Sequence, residues 1–424
     1  MKSLDFHNEF EKIINRDYFS KKIQPIRKNA FDKFSEVGLP NKRLEDWRFT
    51  NLNHFLKSSY VLSESKHSEP LKLDLTNFEI PSTSTLVFIN GHFKKELSDK
   101  VDNVRLLSGI DYLESKNWSL QYPSDCPFEL LNTSFMDSGM SIVLEEGQIP
   151  EKPIRFLFIA SAKEELMISP KIHIDCSLNS SLTFIEHQVG YSDNFFMNSS
   201  INCFLDENSS LHHIKIQSDS SKAVNINRVH VKQNKDSQYT FFSLALDSQL
   251  SRLDIKNDLN GEGADCSING LSLSTQNEQL GSHILTNHFS PNCSSSQNFK
   301  NILHGKSSGI FNGKTVVHQN AQKTDSKQSN KNLILSNNAI MNSNPQLEIY
   351  ADDVKCAHGS TTGSLDKDAI FYLRSRGLSF MNAQKLLMEG FAVELFDVIK
   401  NESIKTFIIQ KFEKWLTEKT KNVF

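Results

Sequence analysis

Hydrophobic and polar positions divide this 424-residue chain into regions of different texture. Over residues 1–60 apolar residues recur at helical spacing: Phe10, Ile13 and Ile14 first, then Ile26, Ala30, Phe34 and Val37. Gly38-Leu39-Pro40 breaks that pattern. Residues 61–140 are mixed, with Ser84–Asn90 reading as a strand and Cys126–Met140 as a helix or irregular connector. From about residue 141 short runs alternate apolar and polar residues between small polar turns, the pattern of half-buried strands. Ile172, Ile174 and Cys176 fall on one strand face, and Lys171, His173 and Asp175 on the other. Val229 and Val231 flank His230 in the same way.

A repeat runs through this region. Asn179-Ser180-Ser181-Leu182 resembles Asn208-Ser209-Ser210-Leu211, and the polar turns 235–238 and 261–265 stand in like places before Tyr239 and Cys266. The anchors Leu182, Leu211, Tyr239 and Cys266 lie 29, 28 and 27 residues apart. A period of this length marks an array in which each unit stacks on the last. The units hold strands and turns without a helical pattern, so a parallel β-helix is expected, with an antiparallel sandwich as the alternative. The repeat fades after residue 295.

Beyond residue 362 the pattern is helical again. Asp366 suits a helix N-cap before Ile370 and Leu373, and Gly377 suits the stop. Ser379 caps a second helix carrying Ala383, Leu386 and Leu387; Ile404, Phe407, Ile408, Phe412 and Trp415 form the stripe of a third. The stretch 411–422 is basic and reads as solvated. These helices are expected to close the end of the array, because an open last rung is a sticky edge. The expected division is therefore a mostly helical N-terminal region (1–140), a mainly β core forming a parallel β-helix (141–362) and a helical C-terminal region (363–424).

Composition removes several function classes. Lys plus Arg is 47 against 50 Asp plus Glu, a net charge of −3 without the clustered basic surface that nucleic-acid binding requires. The longest apolar run, Phe156–Ala160, is far short of the roughly 20 residues of a membrane helix. The N-terminus shows no hydrophobic leader, which points to the cytoplasm. None of the six cysteines forms a Cys-x-x-Cys pair, so a self-contained zinc or four-cysteine cluster site is not expected. Cys176, Cys203, Cys266 and Cys293 read as reduced core thiols. Thirty phenylalanines suit a long interior of stacked side chains.

Some segments invite chemical readings. Gly309–Thr315 approaches a phosphate-binding loop, but the spacing to Gly313-Lys314-Thr315 is one residue short and no helix pattern follows. A tight turn of the array is the better reading, so no ATP site is expected. Asp352 and Asp353, with Glu348 nearby, are candidate paired carboxylates for a carbohydrate-active β-helix enzyme. They also suit a solvated turn. In Cys356-Ala357-His358, an extended backbone would put thiolate and imidazole on one face about 7 Å apart. Two ligands do not close a soft-metal site. Either the remaining ligands come from another chain, or the pair is structural. His173, His187 and His230 are expected on exposed strand faces, His212 and His213 on opposite faces.

Residues 345–394 (PQLEIYADDVKCAHGSTTGSLDKDAIFYLRSRGLSFMNAQKLLMEGFAVE) closely resemble the C-terminal signature of the SufB/SufD family of the SUF iron–sulfur assembly machinery. Gly309–Lys314, Gln328, Asn332–Ser336 and Arg43–Thr50 resemble the same family. The resemblance is dense over about 300–395 and thin over 60–290. It implies a right-handed parallel β-helix between helical regions. It also implies a complex with a SufB-like paralogue and two copies of a SufC-like ATPase. SufB-like members carry a cysteine after the Phe-Tyr of the motif, where this chain has Leu373; Cys356-Ala357-His358 follows the SufD-like pattern, with Ser360-Thr361-Thr362 departing slightly from it. By resemblance, His358 lies at the paralogue interface and supports nascent cluster or iron binding, with Cys356 assisting or only packing. The C-terminal helices dock the ATPase. The expected protein is a non-catalytic scaffold subunit, with a SufB-like primary scaffold as the alternative. A flavin on the complex and a homodimer in the partner's absence stay open.

Overall fold

The computed structural model describes residues 6–15, 23–64, 75–109, 111–112, 126–136, 138–191 and 194–419. The last residues of the basic stretch, 420–422, fall outside them. Alternation over 141–362 produces two long sheets. One stacks Ile340–Ile349, Ser308–Val317, Gln279–His288, Leu250–Leu259, Val224–Gln233, Phe195–Leu205 and Lys171–Cys176. The other stacks Val354–Gly363, Thr324–Ile334, Ser294–Leu303, Asp265–Ser274, Gln238–Leu246, Ser210–Ser218, Ser181–Gly190 and Ile154–Ala160. The order steps by two in each, so every circuit of chain lays one strand on each sheet, and these pairings are all parallel. The fold is a parallel β-solenoid of about eight turns flanked by helices, not a sandwich. Ser84–Ile89, from the earlier region, joins the second sheet against Ile154–Ala160.

The sequence repeat is the stacking register. Leu182, Leu211, Tyr239 and Cys266 are direct ladder partners. The polar turns before them, and before the next two strands of that sheet, hold a residue in the left-handed region: Asn179, Asn208, Asp236, Gly263, Asn292 and Lys323 all have φ between 54° and 72°. Asparagine, aspartate and glycine tolerate that region best, which is why the turns are legible as Asn-Ser motifs. The amide of Asn208 also donates to Asn179 Oδ1 at 2.6 Å, tying one turn to the next.

The solenoid lumen is apolar at its N-terminal end, filled by Phe88, Phe156, Phe158, Phe184 and neighbours. The outer faces are covered as well. Helices Phe6–Ile14, Ile23–Val37 and Pro127–Phe135 pack Phe10, Phe31, Phe34 and Phe135 over Phe196, Val224 and Ile226 of the first sheet. Much of the phenylalanine therefore sits in this helical layer and not only in the lumen. The buried stripe of the second helix runs through Ile23, Arg27, Ala30, Phe31 and Phe34, with Arg27 turned inward to donate to Met136 O and Val37 exposed at the helix end. Helices Phe380–Ala392 and Glu402–Lys419 lay Met388, Ile404, Phe407, Ile408, Phe412 and Trp415 on Ile214, Phe242, Leu244 and Leu271 of the second sheet. Burying each such large side chain contributes about 1.5–3 kcal/mol. Lys300 fastens this layer, donating to Phe391 O at 2.6 Å and pairing with Glu394.

Two expectations are corrected here. The C-terminal helices do not close the end of the array. Their apolar stripe needs an apolar partner, and the outer face of the second sheet supplies it, so they lie along the solenoid. The covering layers also bury His173, His187 and His230, which alternation alone placed in solvent. Tyr112 stacks on His173 with ring centroids 4.4 Å apart, and Phe407 meets His187 edge-on at 5.5 Å.

Candidate functional site at the open end of the solenoid

The last circuit is Ile340–Ile349 and Val354–Gly363. Val354–Gly363 pairs with Thr324–Ile334 on one side, and no described strand pairs with its other edge. Most of its residues are exposed. A row of backbone donors and acceptors at such an edge is a template for another strand.

The strand is extended, so Cys356 and His358 share a face, and the register identifies it as the lumen face. Cys356 tops the column Leu182, Leu211, Tyr239, Cys266, Ser295, Ser326. His358 tops the column Phe184, His213, Phe241, Ile268, Gln297, Gln328. Both columns are mainly apolar until residue 268 and polar afterwards. This is the fading of the repeat: the stacking persists while its side chains change character.

The polar columns are hydrogen-bonded along their length and across the lumen. Ser295 Oγ donates to Ser326 Oγ at 2.9 Å, and His288 Nε2 lies 2.8 Å from Ser295 Oγ. Gln328 Nε2 donates to Thr315 Oγ1 at 2.8 Å, and Gln297 Nε2 to Thr286 Oγ1 at 3.2 Å. Burial pushes the His288 imidazole down to about 4, so it is neutral near pH 7. Partial burial pushes the Cys356 thiol up. Burying this many polar groups costs free energy that an apolar lumen would not. Packing alone gives no reason for them.

Two family models match the chain: "SufBD protein N-terminal region" over residues 2–156 and "SUF system FeS cluster assembly, SufBD core domain" over 158–391. The chain belongs to the SufBD family. It is 31% identical over 398 residues to the iron–sulfur cluster assembly protein SufD of Escherichia coli, covering 92% of each chain. A SufBD-family iron–sulfur cluster assembly protein of Synechocystis is 31% identical over 408 residues, 89% of this chain and 88% of that one. A chloroplastic protein of Arabidopsis thaliana is 25% identical over 409 residues, 90% of this chain and 84% of that one. The chain is an iron–sulfur cluster assembly protein of this family, and SufD-like within it.

The other motifs of this SufBD chain fall into structural roles. Gly309–Thr315 lies within the strand Ser308–Val317, paired on both edges, so its amides cannot wrap a phosphate. Its glycines serve close packing: a Cβ at Gly309 would lie 2.6 Å from Met341 Sδ, and one at Gly313 2.6 Å from Phe311 Cζ. Glu348 pairs with Lys314 at 2.7 Å, while Asp352 and Asp353 sit exposed in the turn before the last strand. Arg43–Thr50 is a strap on the outer face of the first sheet. Trp47 packs under the Arg252 guanidinium at 3.8 Å, and Glu45 Oε1 accepts from Gln346 on the last circuit at 3.2 Å.

Cys176, Cys203, Cys266 and Cys293 are buried, and burial pushes the Cys176 thiol up to about 12. His212 and His213 face opposite ways: His213 is in the lumen, and His212 is half-buried on the outer face. His230 has a carboxylate partner one circuit away, Asp258 Oδ2 at 2.8 Å. No local spacing reveals that pair. Among the described residues no group of three His, Cys, Asp or Glu side chains is placed to hold a metal ion. Cys356 and His358 are therefore brought together as two donors and no more.

Near the open end, helix Lys367–Ser375 begins with Asp366 Oδ1 accepting from Asp368 N at 2.8 Å. It buries Ile370 and presents Phe371 (75% exposed) and Tyr372 (57%) to solvent, with Leu373 half-buried. Phe380, Met381 and Leu386 on the next helix are exposed as well.

Proposed function

We propose that this chain is the SufD-like, non-catalytic scaffold subunit of a cytoplasmic complex that assembles iron–sulfur clusters. It pairs with a SufB-like paralogue through its last circuit, and Cys356 and His358 form half of a site for a nascent cluster or iron at that joint. The observation that carries this reading is the free outer edge of the strand Val354–Gly363, with both candidate donors on its lumen face. Neutral imidazole and thiolate are suitable donors for iron, and two of them need others from across the joint. A paralogue ending in a similar strand would satisfy the free edge by pairing with it.

The exposed Phe371 and Tyr372, with Phe380, Met381 and Leu386, supply an apolar surface for the SufC-like ATPase. ATP hydrolysis belongs to that partner, and movement of the C-terminal helices would act on the joint around His358. Co-expression with SufB-like and SufC-like chains tests the assignment: a stable complex is expected, and failure to recover one would sink it. Within a recovered complex, His358→Ala is expected to impair cluster formation. Unchanged cluster formation would remove the ligand role and leave the scaffold role intact.

A further inference from the structure

We infer that Gln328 is the positioning residue for His358, accepting a ring N–H so that the other imidazole nitrogen faces out of the open end. This rests on the reading of His358 as a donor. The register places Gln328 directly beneath His358, one strand spacing of about 4.8 Å away, with both side chains on the lumen face. Gln328 is buried, and its two polar ends differ. Nε2 is committed to Thr315 Oγ1, while Oε1 is buried without a partner. A buried carbonyl oxygen left free is costly, and the ring above can supply a donor.

Neighbouring groups do not offer the same service. Asn330 Oδ1 already accepts from Asn332 at 2.7 Å and from Ser343 at 2.8 Å. The lumen positions facing His358 from the other sheet, Pro345 and Leu347, carry no side-chain acceptor. Because Nε2 is taken, only the oxygen of Gln328 is available, and an oxygen can pair only with a protonated ring nitrogen. The contact therefore selects a tautomer. A metal-binding imidazole needs its second nitrogen held in this way, and loss of such a partner commonly weakens metal binding 10–100-fold.

The test uses the complex of this chain with its SufB-like partner, titrated with cobalt(II) and followed by visible absorbance. Gln328→Leu is expected to weaken binding roughly 10–100-fold without lowering the melting temperature, and Gln328→Glu, which keeps an acceptor, to restore most of it. Binding by Gln328→Leu as tight as wild type, with His358→Ala defective, would overturn the role of Gln328 alone. If His358→Ala binds like wild type, the underlying donor reading fails, and this inference with it. Ring-nitrogen NMR of the wild-type chain gives an independent decision should a variant not fold. A single ring tautomer of His358 is expected, and an even mixture of two would overturn the proposal.

Discussion

Replacing Lys215 by methionine is expected to destabilise the isolated chain by about 3–5 kcal/mol. Lys215 and Glu186 form an ion pair inside the lumen, 2.8 Å apart and both buried. Burial opposes ionisation of Glu186, but Lys215, and then His213, outweigh it and hold the carboxyl down to about 2 from 4.5. That depression corresponds to about 3 kcal/mol in favour of the charged form. Without the ammonium the buried carboxylate is left charged with no cation to offset its desolvation, or takes up a proton at a similar cost. Lys215 itself is pulled below its ordinary value, because burial outweighs the attraction of Glu186. The pair as a whole therefore returns little net stability.

This gives a second arm to the experiment. Glu186→Leu combined with Lys215→Met should return stability to within about 1 kcal/mol of wild type, or above it. The surrounding polar groups keep other partners. Gln188 Nε2 and Ser199 Oγ still donate to Asn227 Oδ1, at 3.0 and 2.7 Å, and His213 Nδ1 stays 3.2 Å from the Tyr239 hydroxyl. Urea unfolding followed by far-ultraviolet circular dichroism, with the slope compared between variants, measures both changes. A loss below about 1 kcal/mol for Lys215→Met, or a double variant less stable than the single one, would refute the argument from desolvation.

Other consequences are as direct. Phe371→Ser with Tyr372→Ser should abolish capture of the SufC-like ATPase while changing stability by no more than about 0.5 kcal/mol, since both side chains are exposed; retained capture would exclude this surface. Gly313→Ala should cost about 1–3 kcal/mol through its clash with Phe311 and Gln297, measured by the urea midpoint. Stability should peak near pH 6.5. Burial depresses His173 and His283 to about 3, His288 to about 4, and His187 and His213 in the same direction. The unfolded chain therefore binds protons that the native one refuses, and stability falls as pH drops from about 6.5 towards 4. Burial raises Asp219 and Glu278 to about 8, so the native state retains protons that the unfolded chain has lost. That cost grows as pH rises towards 8, by up to roughly 1.4 kcal/mol per pH unit for each acid. Below 6.5 the five imidazoles outweigh the two acids. Urea unfolding at pH 5.5, 6.5 and 8 checks this, and a monotonic profile would contradict it.

The solenoid was legible because its turns and its core obey local rules. Left-handed turn residues favour Asn, Asp and Gly, and stacked rungs repeat their anchors in register. Single strands hid what covers them. Alternation in Lys171–Cys176 correctly separated two faces but put one of them in water, whereas both are buried, because Glu129 and Tyr112, distant in sequence, pack on Lys171 and His173. Cys356 and His358 were legible as a same-face pair from their spacing. Their depth in the fold was not, since it depends on register with Ser326 and Gln328 two strands earlier in the chain. The polar columns did leave a mark: the anchors turn into Ser295 and Ser326. In the hydrophobic pattern this change looks like a weakening repeat, although the strands stack on in register.

The same substitutions connect stability to role. A solenoid built only to persist would carry apolar side chains to its last circuit and then cover it. Here the C-terminal helices pack along the side, the final strand keeps a free edge, and the two lumen columns beneath Cys356 and His358 turn polar over the circuits below it. Ser295, Gln297, Ser326 and Gln328 are buried, so each carries a desolvation cost. In the isolated chain that cost is only partly recovered, with Gln297 Oε1, Gln328 Oε1 and His288 Nδ1 lacking partners. Part of that cost lies directly beneath Cys356 and His358 at the open end, where a half-built site would use it. The remaining bonds then wait on a second chain and its cargo. On this argument Gln297→Leu should raise the melting temperature of the isolated chain, where the buried amide has too few partners. It should lower cluster occupancy of the assembled complex. A variant less stable alone than wild type would show instead that the polar column belongs to the fold.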